Sequence, residues 1–367
     1  MTEYSTWVVD TQTGVKQRLT RPISGTWERS LNGVSQGTHV FRLDSSLTWQ
    51  QWNDLFDGWR RMIVVCWNDV PVYAGFIVKT DYDYPKDRLT VSHASFRAVL
   101  ARRFPFGIGQ YVTGTVALTD RTLRGIAYQL IFEGTQGTPS AVWPLRLRFT
   151  MFDEVGGDAR TYFNYAYQSI EQALTELTNT QNGPDIDFVP EWDSNGALQH
   201  LVRVGAPYLT GPTFEFNASS SKPSMVLRTL TTDFTQLVTG VFALGKGSGE
   251  IKRRGEAATV ATPGGYISLD VTRSFTQVED PDEVPLPDGT YPSLNSHAAA
   301  EVTAFSAPIR QYAGEVLAAK WLPDAMPGAN VSIFRKQSNW RPAEWINLRV
   351  IGYSGDIKSQ FITLKVA

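Results

Sequence analysis

The sequence predicts a mainly β chain with an α+β part: two similar β-barrel domains and an inserted α+β domain. Three observations predict it. Met62–Ser92 reads as three consecutive antiparallel strands. Val331–Val366 repeats that order of strands near the C-terminus. Two helical stripes interrupt the strand texture between them. The expected divisions are residues 1–105, 106–222 and 223–367.

Within the first three-stranded unit, Met62–Trp67 is an apolar run, Asn68-Asp69 a tight turn and Val70–Tyr84 a long strand. Asn and Asp tolerate the positive φ of a two-residue hairpin turn. Pro85-Lys86-Asp87 turns the chain again and Arg88–Ser92 returns. Phe76, Val78, Thr80, Tyr82 and Tyr84 share one face of the long strand, and Lys79, Asp81 and Asp83 the other. That period of two predicts one packed face and one wet face. Upstream, Thr6–Asp10 and Lys16–Thr20 form a hairpin around Gln12-Thr13-Gly14. Trp27–Asn32 and Thr38–Leu43 are the next strands. Thr48 caps a short helix whose stripe of Trp49, Trp52, Phe56 and Trp59 reads as core packing. Together these predict a closed or nearly closed barrel plugged by that helix.

From Phe106 the texture changes. Thr119 and Asp120 are placed as the cap of a helix with Leu123, Ile126, Ala127, Leu130 and Ile131 on one face, and Gly134 follows its end. A second helix spans about Tyr167–Asn179, with Ile170, Ala173, Leu174 and Leu177 inward. Leu145–Thr150, Ile186–Glu191, Leu198–Val204 and Thr213–Asn217 are strand candidates, so this part reads as α+β. In the last part, Gln236–Gly245 and Glu250–Arg254 predict a hairpin around Lys246–Gly249. Glu279–Gly289 is an acidic, proline-rich exposed loop, and Asn295–Phe305 a short helix. Val331–Lys336, Trp345–Tyr353 and Phe361–Val366 then close the chain. They are read as an internal repeat of Met62–Ser92 and are expected in the matching place of a second barrel.

Composition narrows the function classes. The chain has 367 residues, 42% apolar and 19% charged, with a formal net charge of −2. That balance gives no electrostatic reason to expect nucleic acid or anionic membrane as a partner. No apolar run is long enough to span a membrane. Met1–Asp10 lacks a basic stretch followed by an apolar core, so no signal peptide is expected. The single cysteine, Cys66, cannot form an intrachain disulfide and reads as a small buried apolar residue of a protein made in a reducing cytoplasm. Eleven Trp and fourteen Tyr point to large sheet cores, subunit interfaces or a sugar-binding surface.

No chemical motif in the sequence is complete. Gly240–Gly247 (GVFALGKG) fits GxxxxGK, but Gly247 stands where a phosphate-binding loop needs Ser or Thr for magnesium. A Gly-rich hairpin turn accounts for it. Gly107-Ile108-Gly109 lacks the third glycine of a dinucleotide fingerprint. His39, His93, His200 and His297 show no ligand spacing and have no cysteine beside them. Asp185 and Asp187 lack the further oxygens of a calcium loop and read as a strand start with one exposed carboxylate. No GxSxG elbow occurs. A glycosidase needs only two carboxylates, for which Asp153-Glu154 and Glu191 with Trp192 are the candidates. The expectation is a chain with no catalytic residue, no cofactor and no metal.

The ordered stretches Phe41-Arg42-Leu43 with the Trp-rich helix, Ile63-Val64-Val65-Cys66-Trp67, Val72–Ile77, Thr90–Ala94, Leu100–Arg103, Gly183–Phe188 with Trp192, and the closing hairpin to Val366 span nearly the whole chain. In this order they resemble the minor tail proteins of long-tailed (siphovirus-type) phages of actinobacteria, the group serving as tail-tip hub. That family is similar to the central hub of contractile-tail baseplates, with two barrels of one type. The resemblance implies a homotrimer whose six barrels match a six-fold tail tube, and a bare hub ending after its second barrel. It implies a virion protein assembled in the host cytoplasm. Its partners would be the distal tail protein ring, the tape measure protein and receptor-binding or other tip proteins, with transient passage of phage DNA. The rival readings are a receptor-binding tail protein gripping cell-wall carbohydrate and a wall-degrading glycosidase.

Overall fold

The computed structural model describes residues 4–106, 111–135, 145–151, 154–221, 223–259, 267–275, 283–322, 324 and 326–367. Gly107-Ile108-Gly109, Asp153 and residues 279–282 of the acidic loop lie outside the described residues, as does the start of Met1–Asp10. The fold is mainly β.

The N-terminal part supplies seven strands: β1 (Tyr4–Asp10), β2 (Lys16–Thr20), β3 (Ser24–Ser30), β4 (Gln36–Arg42), β5 (Arg61–Trp67), β6 (Val70–Asp83) and β7 (Arg88–Ala94). Helix α1 (Trp49–Leu55) lies between β4 and β5. Thr48 caps it as expected, in a reciprocal capping box with Gln51. The aromatic stripe holds only in part: Phe56 is buried in the core and Trp52 packs against it, but the other two depart from it. The helix stops at Leu55, Trp49 is 69% exposed, and Trp59 sits beyond the helix at φ 62°. A seven-residue helix turns less than twice, too short to aim four aromatics at one core.

β5 is buried along its whole length. Ile63, Val65 and Trp67 face one core, and Met62, Val64 and Cys66 face another. Burial on both sides explains why this strand is a continuous apolar run rather than an alternating one. Asn68 and Asp69 turn the hairpin with positive φ (48° and 63°), as a two-residue primed turn demands. β6 is packed as far as Ile77 and exposed from Val78 to Tyr82. Its ladder with β7 shifts register between Ile77 and Lys79. The extra residue flips the parity of the strand, so the face expected to run from Phe76 to Tyr84 is broken in two.

The middle part contains α2 (Arg97–Leu100), β8 (Val116–Arg121), α3 (Leu123–Thr135), β9 (Leu147–Arg148), β10 (Asp158–Tyr162), α4 (Ile170–Thr178), β11 (Ile186–Trp192) and β12 (Leu198–Val204). Thr122 serves the start of α3, its Oγ1 accepting from the Gly125 N–H at 3.0 Å. Thr119 and Asp120 are still in β8, with Asp120 at φ 54°. Gly134 lies inside α3, where a Cβ would come 2.5 Å from Ile170 of α4. It is the helix–helix contact point, not a terminator. Of the strand expected over Leu145–Thr150, only Leu147–Arg148 pairs. Both helices and the β11–β12 hairpin pack on the Met62/Val64/Cys66 side of the N-terminal sheet.

The remainder comprises β13 (Thr213–Asn217), β14 (Met225–Asp233), β15 (Gly240–Leu244), β16 (Arg254–Ala258), β17 (Asp270–Ser274), α5 (Pro292–Phe305), β18 (Ile309–Leu317), α6 (Ala318–Trp321), β19 (Asn330–Arg335), β20 (Glu344–Asp356) and β21 (Phe361–Val366). β15, β16 and β17 form a small sheet covered by α5, with a core of its own. The other strands join the N-terminal ones in a thirteen-stranded sheet.

The same order of six strands occurs twice in that sheet. Neighbours run β1-β5-β6-β7-β4-β3 in the first set and β13-β19-β20-β21-β18-β14 in the second. Each set places a short helix, α1 or α6, before its three-stranded meander. Each has a long middle strand, of 14 and 13 residues. The two sets differ where β1 pairs β5 antiparallel but β13 pairs β19 in parallel. They meet where β20 pairs with β3. One core runs across that junction, with Trp27 edge-on to Tyr353 at 5.8 Å.

Candidate functional site

Asp185, just before β11, and Asp187 within it are neither a calcium pair nor an exposed strand start. Both are buried. Asp187 Oδ2 accepts from Arg29 Nη2 at 2.8 Å and from Arg203 Nη1 at 3.3 Å. Arg29 Nη1 also donates to the Tyr353 hydroxyl at 3.1 Å. Asp185 accepts from Arg349, from Asn32 Nδ2 at 3.0 Å and from the Leu209 N–H at 2.9 Å. Arg29 and Asn32 belong to β3 and its end, Tyr353 and Arg349 to β20, and Arg203 to β12. Two carboxylates therefore tie both strand sets to the middle part. Charges this deep are held only when paired and hydrogen-bonded. With the chain's own arginines as counterions, the pair offers no anionic cradle for a divalent ion.

A second buried array was illegible in the sequence. His39 Nδ1 lies 2.8 Å from His93 Nε2, and His93 Nδ1 lies 2.8 Å from the Tyr73 hydroxyl. The histidines are 54 positions apart. His39 opposes Val91 across β4 and β7, which makes His93 its diagonal neighbour. Close glycines make the room: a Cβ at Gly25 would lie 2.2 Å from the His39 ring, and one at Gly37 2.3 Å from that of His93. Burial holds the His39 imidazole down at about 4, and burial with His39 beside it holds His93 well below the ordinary range. His200 and His297 are buried elsewhere, at about 3 and about 4, for the same first reason. No group of three or more His, Cys, Asp or Glu among the described residues could hold a metal ion.

The structure separates the remaining candidates. Glu191 accepts from Arg148 Nε at 2.5 Å and Nη2 at 2.7 Å, which lowers its carboxyl. Trp192 donates its Nε1 to the Asp69 carbonyl at 2.9 Å, and Lys16 sits 4.1 Å over its ring. It fastens the middle part to the first sheet. Glu154 is clamped by Arg124 and by Thr122 Oγ1, and its carboxyl falls to about 2. Both carboxylates are held ionised, whereas a glycosidic general acid needs a raised value. Cys66 is buried and its thiol is pushed up to about 12 by burial, the setting of an inert cysteine.

Lys246 follows a strand rather than opening a helix. β15 pairs with β16 through a connection containing Gly247 at φ 103°, and Lys246 Nζ lies 5.3 Å from the centre of the Phe163 ring. Lys246 is expected not to bind a nucleotide. Magnesium-dependent ATP binding in calorimetry that disappears in Lys246→Ala would overturn this.

Open clefts mark the surface among the described residues. A groove of about 390 Å³ runs along the β3–β20 junction, with Glu28, Glu315 and Asp356 in its lining. Glu28 and Glu315 are paired with Lys365 and Arg228. A cleft of about 520 Å³ lies between the end of α4 and α5. Trp49, Tyr84 and Trp340 stand 69%, 82% and 79% exposed. No helix of the described residues is long and apolar enough to cross a membrane.

No protein-family model matches the chain, and no curated protein is similar to it in sequence. Among the solved structures similar to it, two tail proteins match it over almost its whole length. The tail protein from Neisseria meningitidis MC58 is 13% identical, with a TM-score of 0.56 over 99% of this chain and 96% of that one. The 43 kDa tail protein of prophage MuSo2 from Shewanella oneidensis is 9% identical, with a TM-score of 0.57 over 99% and 98%. The chain has the fold of these tail proteins. At such identities the likeness rests on architecture: the strand orders, the inserted middle part and the small β15–β17 sheet all fall within the matched length.

Proposed function

We propose that this chain is a structural protein of a phage tail tip, a hub with no catalytic role. The observation that supports it most is the match of fold over 99% of the chain to two tail proteins of almost equal length. The duplicated strand order supports the finer reading. Two similar units per chain, in a homotrimer, present six nearly equivalent surfaces to a six-fold tail tube. In this reading residues 1–105 and 223–367 are the two barrel-type domains and residues 106–222 the inserted α+β domain, except that β13 (Thr213–Asn217) pairs with β19 and joins the second strand set. The ring joins the distal tail ring and the tape measure protein to host-facing tip proteins. It surrounds or closes the path of the DNA in the virion of a long-tailed actinobacterial phage.

Such a ring needs adhesive area more than charge. Apolar surface removed from water stabilises association by roughly 25 cal/mol per Å², before the cost of ordering the partners. Exposed aromatics such as Trp49, Tyr84, Trp340 and Trp345 supply it. Mass measurement of the isolated tip, or cryo-microscopy of the particle, is expected to find three copies. Six copies, or one on the axis, would remove the pseudo-six-fold argument.

A further inference from the structure

The duplication leaves two strand edges open whose counterparts are closed. β20 runs on past its pairing with β19, and its far half, Gly352–Asp356, pairs antiparallel with β3. β6 likewise runs on past its pairing with β5. On that side Lys79–Asp83 meets no strand among the described residues. The counterpart of β3 in the second set is β14. It pairs with β18 on one side and with no described strand on the other.

The registers fix which residues correspond. Ile77 opposes His93 just before the bulge in the β6–β7 ladder, and Val350 opposes Val366 just before the bulge in the β20–β21 ladder. Lys79–Asp83 therefore stands where Gly352–Asp356 stands. On the other strand, Trp27 opposes Gly37, whose neighbour is His93, while Leu230 opposes Tyr312, whose neighbour is Val366. Leu230 therefore corresponds to Trp27, and Thr229–Asp233 to Thr26–Ser30.

We propose that β14 of one copy pairs antiparallel with Lys79–Asp83 of a second copy, in the register that β3 and β20 use within the chain. This rests on the ring reading above and names its contact. Transferring the observed pairs of Gly352 with Ser30 through Asp356 with Thr26 sets Lys79 opposite Asp233 and Tyr82 opposite Leu230. Thr80 then meets Thr232, and Asp81 and Asp83 meet Thr231 and Thr229.

The chemistry of these pairs is complementary at each position. An opposite-charge pair, an apolar pair and a threonine pair are the combinations that stabilise neighbouring strands. The two remaining carboxylates meet hydroxyl donors, and no like charges oppose one another. Tyr82 is 38% exposed in the single chain, so its ring is available to Leu230. Lys79 holds Asp81 of its own strand at 2.7 Å, a contact it can exchange for Asp233 across the new ladder. Two β6 edges paired about Asp81 would face carboxylate with carboxylate at the centre but Lys79 with Asp83 on either side, so charge alone does not choose between a second β6 and β14. The register that β3 and β20 already use selects β14. Unlike edges meet, so the contact is heterologous and passes from copy to copy until the ring closes.

The test mixes two full-length variants, Lys79→Cys and Asp233→Cys, under mild oxidation or with a short bis-maleimide. Cys66 is buried with its thiol pushed up to about 12 and stays silent. The mixture is expected to give a cross-linked pair at least tenfold above either variant alone, with native mass spectrometry reporting assembly in parallel. If copies assemble and no mixed pair forms, or Lys79→Cys links chiefly to itself, the strand pairing is wrong and the ring survives. If the wild-type chain stays monomeric at every concentration, the ring falls with it. As a second arm, Asp233→Lys is expected to weaken assembly about tenfold, and Lys79→Asp in the same chain to restore it. Loss without rescue would overturn the pairing of these two residues.

Discussion

Replacing Asp187 by alanine is expected to cost about 3–5 kcal/mol of stability, the usual effect of removing one partner from a buried ion pair. Arg29 and Asp187 have side chains only 8% and 3% exposed. Without the carboxylate, the Arg29 guanidinium keeps only the Tyr353 hydroxyl as a partner, and its Nε is already buried without one. Arg203 loses its ion-pair partner too. The damage falls where β3, β12 and β20 meet, so the middle part and the two strand sets should loosen together. Asp187→Asn keeps an acceptor of the same shape and should cost less than the alanine variant. Equilibrium denaturation followed by tryptophan fluorescence checks this, with Trp27 beside Tyr353 as a local reporter. A loss below about 1 kcal/mol for Asp187→Ala would mean that the joint is not held by this pair.

Mild acid is the second large expected effect. His39 is fully buried and titrates at about 4, against 6.5 in an unfolded chain. Below 6.5 the unfolded chain therefore binds a proton that the folded one refuses. The stability this group contributes is complete above pH 6.5 and is lost as pH falls through about 4. A shift of this size corresponds to about 3 kcal/mol. His93, His200 and His297 act with the same sign. Glu176 acts against them: burial raises its carboxyl to about 7, so the folded chain gains stability as pH falls from about 7 towards 4.5. Glu171 is raised in the same direction, also by burial.

Four histidines outweigh these two acids, and net destabilisation is expected between pH 6.5 and 4. A chain carrying His39→Asn isolates one term, because asparagine does not titrate. Its stability should fall less steeply over that interval than that of the wild type. Identical slopes would show that the His39–His93–Tyr73 array does not set the acid response. Whichever ring nitrogens carry the protons, the array is neutral when folded, and its outer atom, His39 Nε2, has no partner to stabilise a charge.

Much of the architecture is legible in the sequence. The strands around Asn68-Asp69, the Thr48 cap, the inward face of α4 and the repeat near the C-terminus depend on neighbours a few residues apart, through turn chemistry and periodicity. The bulge in β6 was not legible, because an extra residue in a ladder is defined by the partner strand and not by the bulged one. The start of α3 was misplaced for a related reason. Thr119, Asp120 and Thr122 are all plausible caps, and the pairing of Leu118 with Arg160 and of Arg121 with Asp158 holds the first two in an irregular stretch of β8.

The candidate site divides in the same way. Sequence alone could test Lys246, Cys66 and the histidine spacings, because each asks whether particular residue types lie at particular intervals. Only the tertiary structure could bring His93 to His39, or Arg29 and Arg203 to Asp187, since those partners are separated by 54, 158 and 16 positions. The burial that turns two aspartates from a solvated strand start into the joint of three parts is likewise tertiary. A residue's chemistry is local, but its charge state and its partners are fixed by whatever the fold packs against it.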